Sequence, residues 1–176
     1  MDNAALFALA AVGLVALAAA GKPTLSVPGQ ALSLTEVQSL ASATVQQHFA
    51  GRVDPAMLWR IAWVESSFNP TAIRAEIAIG DASLGLMQTL LSTATWLHEI
   101  GYTAYPAPTF AELFRPEVSM YFGAAYIDYL AHRNGLTSGK GEETIVRAYN
   151  GGPGGATRDY TAGYWAKYQA ARERFN

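Results

Sequence analysis

The chain predicts a mainly helical fold: one compact domain with a short loop or hairpin insertion, behind a single N-terminal transmembrane helix. Three observations predict it. Beyond residue 33, apolar residues recur at three- and four-residue spacing behind recognisable helix caps. A length of 176 residues with 51% hydrophobic content suits one core rather than two. Ala4 to Gly21, at the front, is uncharged and mostly Ala, Leu and Val, and it ends at Lys22 and Pro23.

At about 1.5 Å per residue this front segment is roughly 27 Å long as a helix, close to a bilayer's hydrocarbon thickness. It is read as an uncleaved anchor within residues 1–22, placing residues 4–21 in a lipid bilayer. A cleaved secretory signal and a buried apolar helix are the alternatives. Ala18 to Ala20 offer small residues at a cleavage site, but Asp2 stands where a signal peptide needs a basic start. Lys22 and Arg52 follow the span, so the positive-inside rule weakly places the rest of the chain in the cytoplasm.

Pro23, Pro28 and Gly29 mark a linker, after which Ser33-Leu34-Thr35-Glu36 has the form of a capping box. The helix it opens reaches about Phe49, with Leu34, Val37, Leu40, Ala41, Val45 and Phe49 on one face. Residues 23–50 are therefore read as a linker and juxtamembrane helix, and residues 51–176 as the domain it packs under. Asp54 caps the next helix, with Pro55 in its first turn. Leu58, Ile61, Ala62 and Glu65 share one face, which puts a carboxylate on the last turn of a core-facing helix. Another helix starts at Ser92-Thr93-Ala94, and Pro116 opens a long one to about Arg133. Phe122, Ala125, Tyr126, Tyr129 and Leu130 in that long helix have the spacing of packing residues. Gly135 to Gly141 reads as a flexible loop, and the helix from about Glu142 delivers Tyr149 and Asn150 just before a glycine-rich stretch, Gly151 to Gly155. A last helix is expected from about Thr157.

Composition excludes several functions. A net charge of −2 and a pI near 5.9 give no basic stripe for phosphates, so nucleic acid is not an expected partner. With no cysteine there is no disulfide and no thiol nucleophile. His48, His98 and His132 lie far apart, without metal-ligand spacing, and no metal or other cofactor is expected.

Three short segments carry the chemistry, in this order: Glu65 to Pro70 (ESSFNP), Ser83 to Gln88 (SLGLMQ) and Ala148 to Gly151 (AYNG). A carboxylic acid donates a proton near neutral pH only when its pKa is raised, and apolar burial does this by disfavouring the charged form. Trp63, Val64 and Phe68 supply apolar neighbours for Glu65. Taken singly, each segment has a plainer reading: a surface Glu, a tetrapeptide that could begin any helix, a buried structural Tyr. Their grouping instead suggests a groove for a neutral polymer, a sugar chain, cut by one acid.

The same segments resemble the lytic transglycosylases of the lysozyme-like superfamily. The resemblance extends from roughly Arg52 to Gln169 and includes Val53 to Ala56, Ser92 to Leu97, Phe114 to Leu130 and Thr157 to Tyr168. It implies a lysozyme-like fold and a metal-free enzyme that cuts peptidoglycan glycan strands without water. By this resemblance, Glu65 protonates the bond between N-acetylmuramic acid (MurNAc) and N-acetylglucosamine (GlcNAc) while the substrate's acetamido group stabilises the cationic centre. Glu65 then acts as base toward the muramic C6 hydroxyl and closes a 1,6-anhydro ring. Most glycosidases need two carboxylates; this family manages with one. The resemblance makes Ser83, Gly85, Met87, Gln88, Tyr149, Asn150 and Tyr160 the expected substrate contacts. Gly85 would let the backbone approach the sugar, Met87 would offer a soft apolar contact, and Gln88 would both donate and accept hydrogen bonds. Trp165 and Tyr168 have core spacing, with sugar stacking as the alternative.

The chain departs from the family pattern between Glu65 and Gln88, where extra residues lie near Ile73 to Ala82. Arg74 stands where the family has a Ser, whose role would pass to Ser83, and Ala156 replaces an acidic residue. The insertion also brings Glu76 and Asp81, either of which could position a water and turn the outcome toward hydrolysis. Two rival functions therefore stand beside the lyase: a hydrolytic lysozyme on the same fold, and a weakly catalytic structural or peptidoglycan-binding membrane protein. The expected setting is the virion membrane of a bacteriophage or a bacterial inner membrane, with the domain facing peptidoglycan and virion or secretion-complex partners nearby.

Overall fold

The computed structural model describes residues 30–175. The membrane span expected at residues 4–21 lies outside them, and no helix among the described residues is long and apolar enough to cross a membrane. The first helix, α1, is Leu34–His48. Its capping box forms as expected: Ser33 Oγ accepts from the Glu36 amide at 3.3 Å, and Glu36 Oε2 accepts from the Ser33 amide at 2.8 Å. Val37, Ala41, Thr44 and Val45 form its buried face. Because these residues join the same core as the helices that follow, α1 packs as part of the domain.

Helix α2, Pro55–Ser66, starts with the Asp54 side chain accepting from the Ala56 amide at 2.8 Å, and Pro55 occupies a position with no intrahelical donor to lose. The inserted segment folds into an antiparallel hairpin, β1 (Ile73–Glu76) and β2 (Asp81–Leu84), joined by a 3-10 turn over Ile77–Ile79. A two-residue strand, β3 (Thr89–Leu90), completes the sheet in the order β1-β2-β3 and runs straight into α3, Leu91–Glu99.

Helix α4, Pro116–His132, is buried along most of its length, from Val118 to Leu130, and α1, α2, α3 and α5 all contact it. A helix apolar nearly all round can only be the centre of a helical domain. Its one buried charge, Asp128, accepts from the Tyr102 hydroxyl at 2.8 Å and pairs with Arg52 at 3.2 Å. Helix α5, Glu142–Gly151, buries Ile145, Val146, Ala148 and Tyr149. Helix α6, Ala162–Arg174, buries Tyr164, Tyr168 and Ala171.

This last helix starts later than the expected Thr157. Residues Pro153–Gly155 and Asp159–Thr161 form two 3-10 turns instead. The side chain of Thr161 fixes them, because its hydroxyl lies 2.8 Å from the Gly155 carbonyl and 2.7 Å from that of Arg158. Those carbonyls are thereby committed to a turn.

Candidate active site

Glu65 sits in the last turn of α2, where the chain reverses through two non-glycine residues with left-handed backbone, Ser67 (φ 51°) and Phe68 (φ 67°). Such positions cost on the order of 1–3 kcal/mol each and persist only where packing dictates them. Here the packing is aromatic. Phe68 is buried against Trp63, with ring centroids 5.2 Å apart, and its carbonyl accepts from the Leu32 amide at 3.0 Å. The Ser66 hydroxyl ties the end of α2 to the second motif, lying 2.8 Å from the Leu86 carbonyl.

The second motif forms a tight turn across the base of the groove. Gly85 (φ +71°) is required there, because a Cβ at this position would lie 2.0 Å from the Leu113 carbonyl oxygen and 2.8 Å from Ser119 Oγ. The glycine therefore serves an approach to α4 and the preceding turn, rather than the expected approach to a sugar. Met87 is likewise relocated: its side chain is fully buried against Gly123, where a Cβ would come within 2.6 Å of its Cγ and Cε. What Met87 contributes is backbone. Its amide donates to Ser119 Oγ at 3.1 Å and its carbonyl accepts from the Tyr149 hydroxyl at 2.8 Å. Gln88, also at positive φ (46°), donates its Nε2 to the Ala72 and Gly85 carbonyls at 3.0 Å each, which leaves Oε1 as its acceptor toward the groove.

The hairpin makes another wall. Arg74 pairs across the strands with Ser83, and Glu76 with Asp81. Glu76 Oε1 accepts from Arg74 Nε at 2.6 Å and from Ser83 Oγ at 2.9 Å. Arg74 and Ser83 together hold the Glu76 carboxyl below the usual glutamate range. Asp81 is committed elsewhere, since its carboxylate accepts from the Ala82 and Ser92 amides at 2.7 and 3.2 Å and so caps the start of α3.

These walls enclose a groove of about 350 Å3 lined by Glu65, Arg74, Glu76, Ser83, Gln88, Thr89, Thr93, Tyr126, Tyr149 and Asn150, among others. Asn150 is exposed at its edge. Burial pushes the Glu65 carboxyl above its ordinary value, and nearby Glu76 adds to the rise. A hydrogen bond donated by Tyr164 opposes the rise most, followed by the charges of Arg74 and Lys167. That hydrogen bond runs from Tyr164 Oη to Glu65 Oε1 at 2.6 Å. The other carboxylate oxygen makes no hydrogen bond within the described residues. Glu65 is thus a half-buried acid whose pKa burial raises, held by one oxygen.

The transglycosylase SLT domain matches residues 44–171, from the second half of α1 to the last turns of α6. The chain belongs to this family. Among its relatives is membrane-bound lytic murein transglycosylase C of Edwardsiella ictaluri, 32% identical over 115 residues that make up 62% of this chain and 30% of the relative. The protein of the same name from Photorhabdus laumondii is 32% identical over 117 residues, with the same coverage. The matched region spans under a third of either relative's length. The fold resembles that of the 70 kDa soluble lytic transglycosylase SLT70 of Escherichia coli, with a TM-score of 0.54 at 21% identity, covering 76% of this chain and 24% of that one. The lysozyme-like architecture expected from the sequence is therefore present.

Within this SLT domain, the structure brings Glu65, Ser83, Gln88, Tyr149 and Asn150 to one groove. Gly85 and Met87 support that groove from beneath. Tyr160, also an expected substrate contact, is not among the residues that line the groove. It is 69% exposed, and its hydroxyl donates to the Gly151 carbonyl at 3.4 Å. The tyrosine that reaches Glu65 is Tyr164, four residues on, because the 3-10 turn holds Tyr160 ahead of α6 and it is α6 that packs against α2. A tyrosine inside α6 at helical spacing from Tyr168 was the available signal for it.

Proposed function

We propose that the chain is a peptidoglycan lytic transglycosylase that cleaves the MurNAc-GlcNAc bond and forms 1,6-anhydroMurNAc, with Glu65 as the acid. One observation carries this reading: the Glu65 carboxyl is desolvated at a groove it lines, and Tyr164 holds Oε1 while Oε2 has no hydrogen-bond partner among the described residues. Protonated Glu65 donates to the glycosidic oxygen as the C1–O bond breaks. The hydrogen bond from Tyr164 stabilises the carboxylate that results, and that carboxylate takes the C6 hydroxyl proton as the anhydro ring closes. Gln88 Oε1 and the Asn150 amide suit the substrate's acetamido groups, and Ser83 and Tyr149 line the same pocket. Family membership and the names of the relatives support the chemistry.

The relatives are named membrane-bound, and residues 4–21 have the length and composition of an anchor. We place the enzyme at a membrane facing the wall, where it opens peptidoglycan locally during phage penetration or secretion-complex assembly. The test of the chemistry is mass spectrometry of muropeptides released from purified sacculi by the full chain and by Glu65→Gln. Wild type should release anhydro ends, and the variant should release at least about 100-fold fewer, as expected for loss of a general acid. Equal release by the variant would sink the assignment.

A further inference from the structure

The groove holds a second carboxylate that the lyase reaction does not use. Glu76 is half-buried, its side chain 28% exposed, and it reaches the groove from the hairpin, whereas Glu65 reaches it from α2. Both of its protein partners, Arg74 Nε at 2.6 Å and Ser83 Oγ at 2.9 Å, lie on Oε1. Oε2 is left as an acceptor without a partner among the described residues. Strand pairing fixes this arrangement, since Arg74 and Ser83 face each other across β1 and β2 two pairs back from the Glu76–Asp81 pair, on the same face of the hairpin as Glu76. The carboxylate is thus oriented by two donors and ionised, in the same groove as an acid whose pKa is pushed the other way. Divergent pairs of this kind mark acid and base partners in glycoside hydrolysis.

We propose that Glu76 positions and deprotonates a water, giving the site a second, hydrolytic outcome beside anhydro-ring closure. The proposal rests on Glu65 as the acid. In this branch Glu65 gives its proton to the glycosidic oxygen and the C1–O bond of MurNAc breaks. The oxygen of the water bonds to C1, and Glu76 Oε2 accepts the water's proton. The product is MurNAc with a free reducing end in place of the anhydro ring. Arg74 and Ser83 are positioning residues for this step: they fix Oε1 and so aim Oε2. Asp81 is excluded from the role because its carboxylate caps α3.

The test digests sacculi with the full-length protein and counts new reducing and anhydro MurNAc ends by mass spectrometry, after subtraction of an undigested control. Wild type should release both ends, with reducing ends the minority, and Glu76→Gln should lower the reducing-to-anhydro ratio at least about tenfold. The ratio is read within each sample, so partial misfolding lowers both products alike and neither produces nor hides a change in the ratio set by the folded enzyme. Glu76→Asp, which keeps the carboxylate, should recover part of the ratio. Exclusively anhydro ends from wild type would overturn the hydrolytic branch and leave the lyase standing. An unchanged ratio in Glu76→Gln would overturn the hydrolytic branch as well, and a shifted pH profile beside it would reduce Glu76 to an electrostatic neighbour of Glu65. A wild type that releases neither end would overturn both readings.

Discussion

Tyr164→Phe removes one atom, the hydroxyl that donates to Glu65 Oε1 at 2.6 Å from a side chain only 8% exposed. The ring and its packing in α6 stay. Hydrogen bonds to charged groups contribute about 1.5–3 kcal/mol, and each pH unit of displaced ionisation corresponds to about 1.4 kcal/mol. Because the bond favours the ionised carboxylate, its loss raises the Glu65 pKa further, adding to the burial that already raises it. Protonated Glu65 is the acid, so kcat/KM falls as pH rises through its pKa. The alkaline limb of the profile should therefore move upward by roughly one to two pH units in the variant. At the wild-type optimum kcat should fall, since the carboxylate formed during bond cleavage loses its only donor within the described residues. The assay is the initial rate of muropeptide release across pH, for wild type and variant in parallel. A limb that stays in place, or moves to lower pH, would refute the claim that this hydroxyl acts on the charge of Glu65.

Two further outcomes concern stability. Burial raises the folded-state pKa of Glu65 above its ordinary 4.5, so ionising it costs folding free energy at neutral pH, whereas below the ordinary value both states are protonated and the cost vanishes. Glu65→Gln should therefore melt higher than wild type at neutral pH, with the advantage shrinking as pH falls through the raised value. Equal melting temperatures at neutral pH would contradict a desolvated acid. Gly85→Ala meets backbone at 2.0 Å and demands a left-handed alanine, so it should cost about 3 kcal/mol, a fall in Tm of roughly 6–12 °C. Gly80→Ala, at φ +64° with nothing within 4 Å, should cost only about 1 kcal/mol, and similar losses for the two would remove the case for close packing beneath the groove.

The helices were legible because their signals are local. Ser33 with Glu36, Asp54 with Pro55, and Pro116 each satisfy or forgo donors within their own first turn, and the structure starts helices at all three. Glu65 was legible for a similar reason, since four residues of α2 spacing put it on a face that Leu58, Ile61 and Ala62 bury. Side-chain roles within the second motif were not legible, because a motif records which residue is needed and not which of its atoms. Met87 fills the space left by Gly123, 36 positions away, and offers the site only its amide and carbonyl.

The same limit explains Tyr160, Tyr164 and Asp81. Whether Tyr160 or Tyr164 meets the acid depends on where α6 begins, and that is decided by Thr161 bonding back to Gly155 and Arg158, a choice invisible to periodicity. Asp81 and Glu76 looked equivalent as inserted acids. Strand register separates them: pairing Glu76 with Asp81 at the hairpin end leaves Ser83 and Arg74 beside Glu76, whereas Asp81 falls next to the first amides of α3. One acid is thereby used up as a helix cap, and the other is held by a single oxygen inside the groove. An insertion that reads in sequence as two loose charges therefore contributes a cap and an oriented carboxylate, and the difference between them is one of pairing, not of composition.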